Sequence, residues 1–321
     1  MLENLKKYWF VGLIVLVMVV GTIVFSKEQL NSVFKGKKVD GKDLIYEIAE
    51  ESKNADDYYA EIIKDHGGSE GYKLFERLVL NSIETSDELK EQAQKDADEH
   101  LKYTSAQGTA KVKELETALI QSGYSGLKEL NVFYENAGKI LQIERDYIDA
   151  NGGEALESYF ETNSPRIVSH ILVKMEDPEN PTEAEQKLLD EAKAALADGM
   201  DFKDAAIKFS DDGSATEGGL IGFLDKNSQF VPEFIKNSIS TESGQLSEWF
   251  TSQYGQHIVL VGATDYETLK SEDKFIEAVV TYNPEFKFHA LWEKAQSLEI
   301  DFKDAELEKQ IKEYMKIEGV E

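Results

Sequence analysis

Two histidines and an acidic, glycine-rich loop are the groups in this chain whose types and spacing could do chemistry. His170 sits inside Arg166-Ile-Val-Ser-His-Ile-Leu-Val-Lys174, and His257 inside Gln256-His-Ile-Val-Leu260. Both runs are apolar and β-branched, so each histidine belongs to a strand. An imidazole in such a place is either a satisfied core side chain or a site group, the one side chain whose ordinary pKa lies near neutrality. Between the two runs lies Phe209-Ser-Asp-Asp-Gly-Ser-Ala-Thr-Glu-Gly-Gly-Leu-Ile-Gly222. Asp211 and Asp212 stand before Gly213, a pairing that serves turns and can also present a carboxylate. Other chemistries find no support. His66, His100 and His289 stand alone without metal-ligand spacing. Gly218-Gly-Leu-Ile-Gly222 is followed by no Lys-Ser/Thr, so it is not a phosphate loop, and there is no Gly-x-Ser-x-Gly elbow.

Composition narrows the partners. The chain has 321 residues, 35 basic against 62 acidic, a net charge of −27. That balance opposes nucleic-acid binding, which needs lysine and arginine for phosphates. There is no cysteine, which removes disulfides, thiolate metal sites, a cysteine nucleophile and lipid attachment through an N-terminal cysteine.

The elements that must position these groups follow in order. Lys6 and Lys7 precede an uncharged run over residues 9–25, just long enough to span a bilayer, with Tyr8 and Trp9 suited to the interface. The flanking Val24-Phe25-Ser26 is a poor cleavage site, so a retained anchor is expected rather than a cleaved signal peptide. Residues 33–41 read as a strand and turn. A helix is expected from about residue 42 to 64, stopped by His66-Gly67-Gly68, and a second carries Tyr72, Phe75 and Val79. Further helices follow to residue 161, the next capped by Ser86 or Asp87. Ser164-Pro165 marks a boundary. Residues 167–174 form a strand with Val168, His170 and Leu172 on one face. Thr182-Glu-Ala-Glu185 is a capping box, Asp201 caps a shorter helix, and Pro232 opens a third. Strands cover 246–251 and 257–261. The remainder is helical apart from an alternating stretch at 298–302, which could pair with 33–39.

The middle segment resembles the parvulin family of peptidyl-prolyl cis/trans isomerases. The resemblance is carried by Ser169-His-Ile-Leu-Val173, Gly199-Met-Asp-Phe202, Phe209-Ser-Asp-Asp-Gly-Ser-Ala215, Gly218-Gly-Leu-Ile-Gly222, Val231-Pro-Glu-Phe234 and Tyr254-Gly-Gln-His-Ile258, in that order. The layout is similar to that of extracytoplasmic foldases of the PrsA-like group. The expected class is therefore α+β: a parvulin domain with a small antiparallel-rich sheet, residues 164–264, inserted in a mostly α-helical chaperone domain. The helical domain is built from residues 27–163 and 265–321, behind an anchor at 1–26.

The resemblance implies an isomerase of X-Pro bonds in secreted or surface proteins, working at the outer face of a cell membrane. It implies no cofactor and no metal, unfolded polypeptides as partners, and leaves a homodimer open. A holdase with a catalytically weak parvulin domain is the alternative. It places His170 and His257 side by side, hydrogen-bonded through one donor and one acceptor nitrogen. Asp212 lies beside the substrate carbonyl, its pKa raised by desolvation, and Thr251 supplies a hydroxyl near the histidines. The proline pocket is expected from Ile221, Leu224, Phe230 and Phe234. The loop at 174–185 lacks the cation cluster of phosphate-specific parvulins, so a phosphorylated substrate is not expected.

Overall fold

Alternation of Leu44, Tyr46 and Ile48 makes a strand where helical spacing also fits. The computed structural model describes residues 38–39, 42–48 and 51–317, and it places three short strands before the first described helix. These are β1 (Lys38–Val39), β2 (Lys42–Ile48) and β3 (Glu51–Asn54), an antiparallel meander. The expected helix over 42–54 is thus corrected: its apolar residues satisfy period 2 as well as 3.6, and strand pairing decided between them. The expected anchor at residues 9–25 lies outside the described residues; among those described, no helix is long and apolar enough to cross a membrane.

The chain divides into two units, one of Met1–Leu74 with Phe302–Tyr314, the other chiefly Phe75–Asp301. Helix α1 (Ala55–Asn81) begins in the first and runs unbroken through Gly67, Gly68 and Gly71. The expected stop at His66-Gly67-Gly68 is therefore wrong. The glycines serve close packing of α1 against the last described helix, Ala305–Tyr314. A Cβ on Gly71 would stand 2.8 Å from Leu307 Cδ1 and 2.9 Å from Ile311 Cγ1. Tyr72 packs on Tyr314 at 5.4 Å between ring centroids. Gly71→Val is expected to lower stability by about 1–3 kcal/mol through overpacking, measured by urea denaturation. The 298–302 stretch is irregular, with Glu299 at φ 55°, and forms no strand.

The second unit opens with α2 (Asp87–Ala106), capped by Ser86 Oγ, which accepts from Leu89 N at 3.1 Å, then α3 (Thr109–Gln121). Next come α4 (Leu130–Asn151) and α5 (Gly153–Asn163). The mixed segment follows as β4 (Arg166–Lys174), α6 (Glu183–Ala197), α7 (Phe202–Phe209), β5 (Leu220–Leu224), α8 (Pro232–Ser240), β6 (Phe250–Ser252) and β7 (Gly255–Val261). The unit closes with α9 (Tyr266–Leu269), α10 (Asp273–Tyr282) and α11 (Glu285–Ser297), and the chain's last described helix is α12 (Ala305–Tyr314).

The sheet runs β5-β4-β7-β6, every neighbour antiparallel. β5 falls in the glycine-rich loop, where only the glycines were conspicuous. One sheet face packs Ile171, Val173 and Ile258 against Leu189, Ala192, Phe202 and Phe209 of α6 and α7. The other packs Val168, Val259 and Val261 against Leu224 and Phe234. The capping box at Thr182 and Glu185 and the Asp201 cap form as expected. A third core joins the sheet edge to the helices: Phe223 of β5 meets Ile148, Tyr159, Leu269, Phe275, Ile276 and Val279. Arg145 of α4 reinforces the helical side, donating to Asp273 Oδ1 at 2.5 Å and to Lys270 O at 2.9 Å.

Candidate active site

The two central strands of the sheet carry the two histidines, and both side chains are buried. His170 on β4 and His257 on β7 are 5% and 3% exposed, with ring centroids 5.9 Å apart and planes inclined by 31°. They do not hydrogen-bond to each other, which corrects the expected imidazole pair. His257 Nε2 instead meets Ser252 Oγ at 2.6 Å. Ser252 Oγ also accepts from Tyr254 N at 3.1 Å. Burial, and then the neighbouring His170, push the His257 pKa down to about 4, against the opposing pull of Asp212 and Glu233. His257 is therefore neutral at neutral pH.

Thr251 does not take the expected role. Strand alternation turns it outward, where its Oγ1 accepts from Gln256 Nε2 at 2.7 Å. The hydroxyl at the histidines is that of Ser252, one residue on. The β6–β7 register settles this: Phe250 lies opposite His257 and stacks on it at 5.2 Å and 10°, so Ser252 shares that face.

The loop after α7 is laced to β4. Asp211 N donates to Leu172 O at 2.8 Å, Leu172 N donates to Ser210 Oγ at 3.1 Å, and Lys174 N donates to Asp211 Oδ2 at 3.0 Å. Asp211 is thereby engaged with the strand end, and Asp212 faces the histidines. Its Oδ1 lies 3.1 Å from His170 Nε2, without the alignment of a hydrogen bond. The same oxygen accepts from Ser214 N at 2.8 Å and Ser214 Oγ at 2.5 Å. Burial raises the Asp212 pKa, but the Ser214 hydroxyl and amide, with His170, outweigh it and hold the carboxyl at about 2. The expected rise is thus reversed, because hydrogen bonds to the charged form exceed the desolvation term.

Above these groups is a cavity of about 560 Å³, lined by Ile221, Phe230, Phe234, Asp212, His170 and His257, with Gln229 and Tyr254 at its edge. Phe234 is fully buried and meets His170 edge-on at 5.2 Å and 83°. Phe230 stacks on Phe234 at 5.0 Å. Leu224 is not in the wall: it is fully buried in the core behind Phe234. A register shift between β4 and β5, with Gly222 at φ 84°, puts Ile221 at the cavity while Leu224 points into the core.

This combination of two buried imidazoles, an ionised carboxylate and an aromatic pocket coincides with a match to the rotamase family of PPIC-type peptidyl-prolyl isomerase domains over residues 170–263. The chain carries a PPIC-type parvulin domain. A foldase protein PrsA of Geobacillus kaustophilus is 28% identical over 237 residues, 72% of this chain and 74% of that protein. A chaperone SurA of Saccharophagus degradans is 38% identical over 111 residues, 34% of this chain and 24% of that protein. The matches to SurA chaperones span from 22% to 44% of those proteins' own length. A crystal structure of PrsA from Bacillus subtilis aligns over 84% of this chain and 98% of its own, at 22% identity and a TM-score of 0.44.

Within the parvulin domain, Ser252, Tyr254, Gln229 and Val231 are site residues that sequence reasoning missed. Only the strand register and the stacking of Phe230 on Phe234 reveal them. His257 also predicts an acid response. Its folded pKa of about 4 lies below the ordinary 6.5, so the unfolded state binds more protons between those values. The stability that His257 contributes is expected to be full above pH 6.5 and to fall as pH drops toward 4, while Glu144, whose carboxyl is raised to about 7 by burial, acts with the opposite sign over the same range. Urea midpoints at pH 7 and pH 4.5, for the wild type and His257→Gln, check this: the wild type should lose stability relative to the variant at the lower pH.

Proposed function

We propose that the chain is a membrane-anchored extracytoplasmic foldase whose parvulin domain catalyses cis/trans isomerisation of X-Pro bonds in secreted polypeptides. The observation that carries this reading is the cavity walled by Ile221, Phe230 and Phe234 with the ionised Asp212 carboxylate in its lining. The barrier to rotation, ~18–20 kcal/mol, comes from amide resonance, which puts negative charge on the carbonyl oxygen. No covalent bond is made or broken; the site needs only to favour the twisted amide over either planar form. Ile221, Phe230 and Phe234 would hold the proline ring and withdraw water that stabilises the polar planar amide. The Asp212 carboxylate, set beside the carbonyl, repels the oxygen charge that the planar form carries and the twisted form loses. His170 and neutral His257 would form the floor that fixes Phe234 and Asp212.

Client binding by the helical segments, and anchoring through residues 9–25 with the remainder outside the membrane, complete the proposal. Protease protection of the N-terminal segment in intact membranes, with digestion of the rest from the outer face, tests the topology; release of the whole chain into the soluble fraction would refute it. A holdase with an idle parvulin domain is the second reading. It is favoured by the exposed Tyr58, Tyr59, Leu74 and Leu78 on α1. Under it, suppression of client aggregation survives the loss of Asp212.

A further inference from the structure

Beside the prolyl cavity lies a second, larger hollow of about 800 Å³ that shares Ile221, Gln229 and Phe230 with it. Its far wall is helix α10. Lys274, Glu277, Ala278 and Thr281 line it, and their spacing of three and four residues is one helix face. Its near wall is Phe223, Asp225 and the turn after β5. We infer that this hollow is a subsite for the substrate segment flanking the proline, so that one extended polypeptide occupies both cavities across the saddle of Gln229 and Phe230. The inference rests on the isomerase reading and deepens it, by adding a second contact region outside the parvulin segment.

Three observations favour a continuous peptide over a separate ligand. The hollow adjoins the prolyl cavity, with Ile221, Gln229 and Phe230 lining both. Phe230, at the junction, is 41% exposed although its ring is stacked from below. The lining mixes one cation, two carboxylates, hydroxyls and amides with Phe223 and Ala278, which suits a main chain with varied side chains rather than a single charged group. The walls are also held in place. Phe223 and Phe275 are in ring contact at 5.9 Å, and Tyr159 OH donates to Asp225 Oδ2 at 2.9 Å. Asn227 Nδ2 donates to Asn163 Oδ1 at 2.8 Å, and Lys226 N to Asn163 O at 2.9 Å. A hollow fixed before binding loses little entropy when filled.

The test compares fluorescently labelled peptides sharing one X-Pro core: a short one, one extended on the N-terminal side and one extended on the C-terminal side. Each is titrated with the full chain and followed by anisotropy. One extension is expected to tighten binding by about tenfold, the worth of a few main-chain hydrogen bonds. Thr281→Trp, and independently Lys274→Trp, should cancel that gain; both positions are exposed, and circular dichroism confirms the fold. Equal affinity for all three peptides overturns the inference. So does a gain that persists in both variants. The exchange rate of the short peptide is read separately: no acceleration there would defeat the isomerase reading while the binding comparison still decides the subsite.

Discussion

Asp212→Asn should lower kcat/KM for a short X-Pro peptide by about 100-fold, the scale seen when one preorganised electrostatic group is removed from a catalytic site. The substitution separates charge from structure. Asp212 also caps the turn that follows, accepting from the Ser214 amide and hydroxyl. An asparagine keeps an oxygen there and loses the anion. Melting temperature should therefore change little while turnover falls. Since the carboxyl titrates near 2, the wild-type group is ionised throughout the range of an ordinary assay. If Asp212→Asn kept its turnover, charge repulsion at the carbonyl would have no part in the mechanism, and desolvation by the aromatic wall would have to supply the effect. Peptide exchange measured by nuclear magnetic resonance, alongside a thermal melt, gives both readings.

Phe234→Ala should be costly in both stability and activity. Phe234 is 2% exposed, lies in the core with Val168, Leu224, Val259 and Val261, and touches His170, His257, Phe230 and Phe250 through its ring. Truncating a buried phenylalanine costs about 3–5 kcal/mol. The loss here also removes the support on which Phe230 stacks, so prolyl binding should fall below detection even where the domain remains folded. Phe234→Leu, closer in volume, should recover much of the stability and little of the activity. Chemical denaturation with isomerase assays on both variants separates the two effects. Full activity in Phe234→Ala would mean that the proline ring is held elsewhere.

These predictions rest on positions whose legibility in the sequence differed for physical reasons. His170, His257, Phe230 and Phe234, expected at the site from the parvulin resemblance, do line one cavity. The histidine strands alternate, and Pro232 fixes the start of the helix that carries Phe234. The caps at Thr182 and Asp201 were legible because a cap is a local hydrogen bond between residues two or three apart. What failed depends on pairing partners far along the chain. Thr251 and Ser252 both offer a hydroxyl, and only the antiparallel register with β7 chooses Ser252. Leu224 was assigned to the pocket because a register shift is invisible in a single strand. Gly67 and Gly68 have the composition of a helix stop, and the neighbouring Ala305–Tyr314 helix, more than two hundred residues later, makes them packing sites instead. The sign of the Asp212 shift failed for a subtler reason. Burial was foreseen; the two hydrogen bonds from Ser214, which outweigh it, required the turn geometry.

The parvulin domain of this chain should turn prolyl bonds. Exchange spectroscopy on a short X-Pro peptide, with and without a catalytic amount of the full chain, measures it directly. The uncatalysed interconversion takes tens of seconds or longer at 25 °C. Cis/trans exchange should be accelerated well above that background by the wild type, and the acceleration nearly lost with Asp212→Asn. An exchange rate indistinguishable from the peptide alone, from a folded chain that still binds the peptide, would contradict it and leave the holdase.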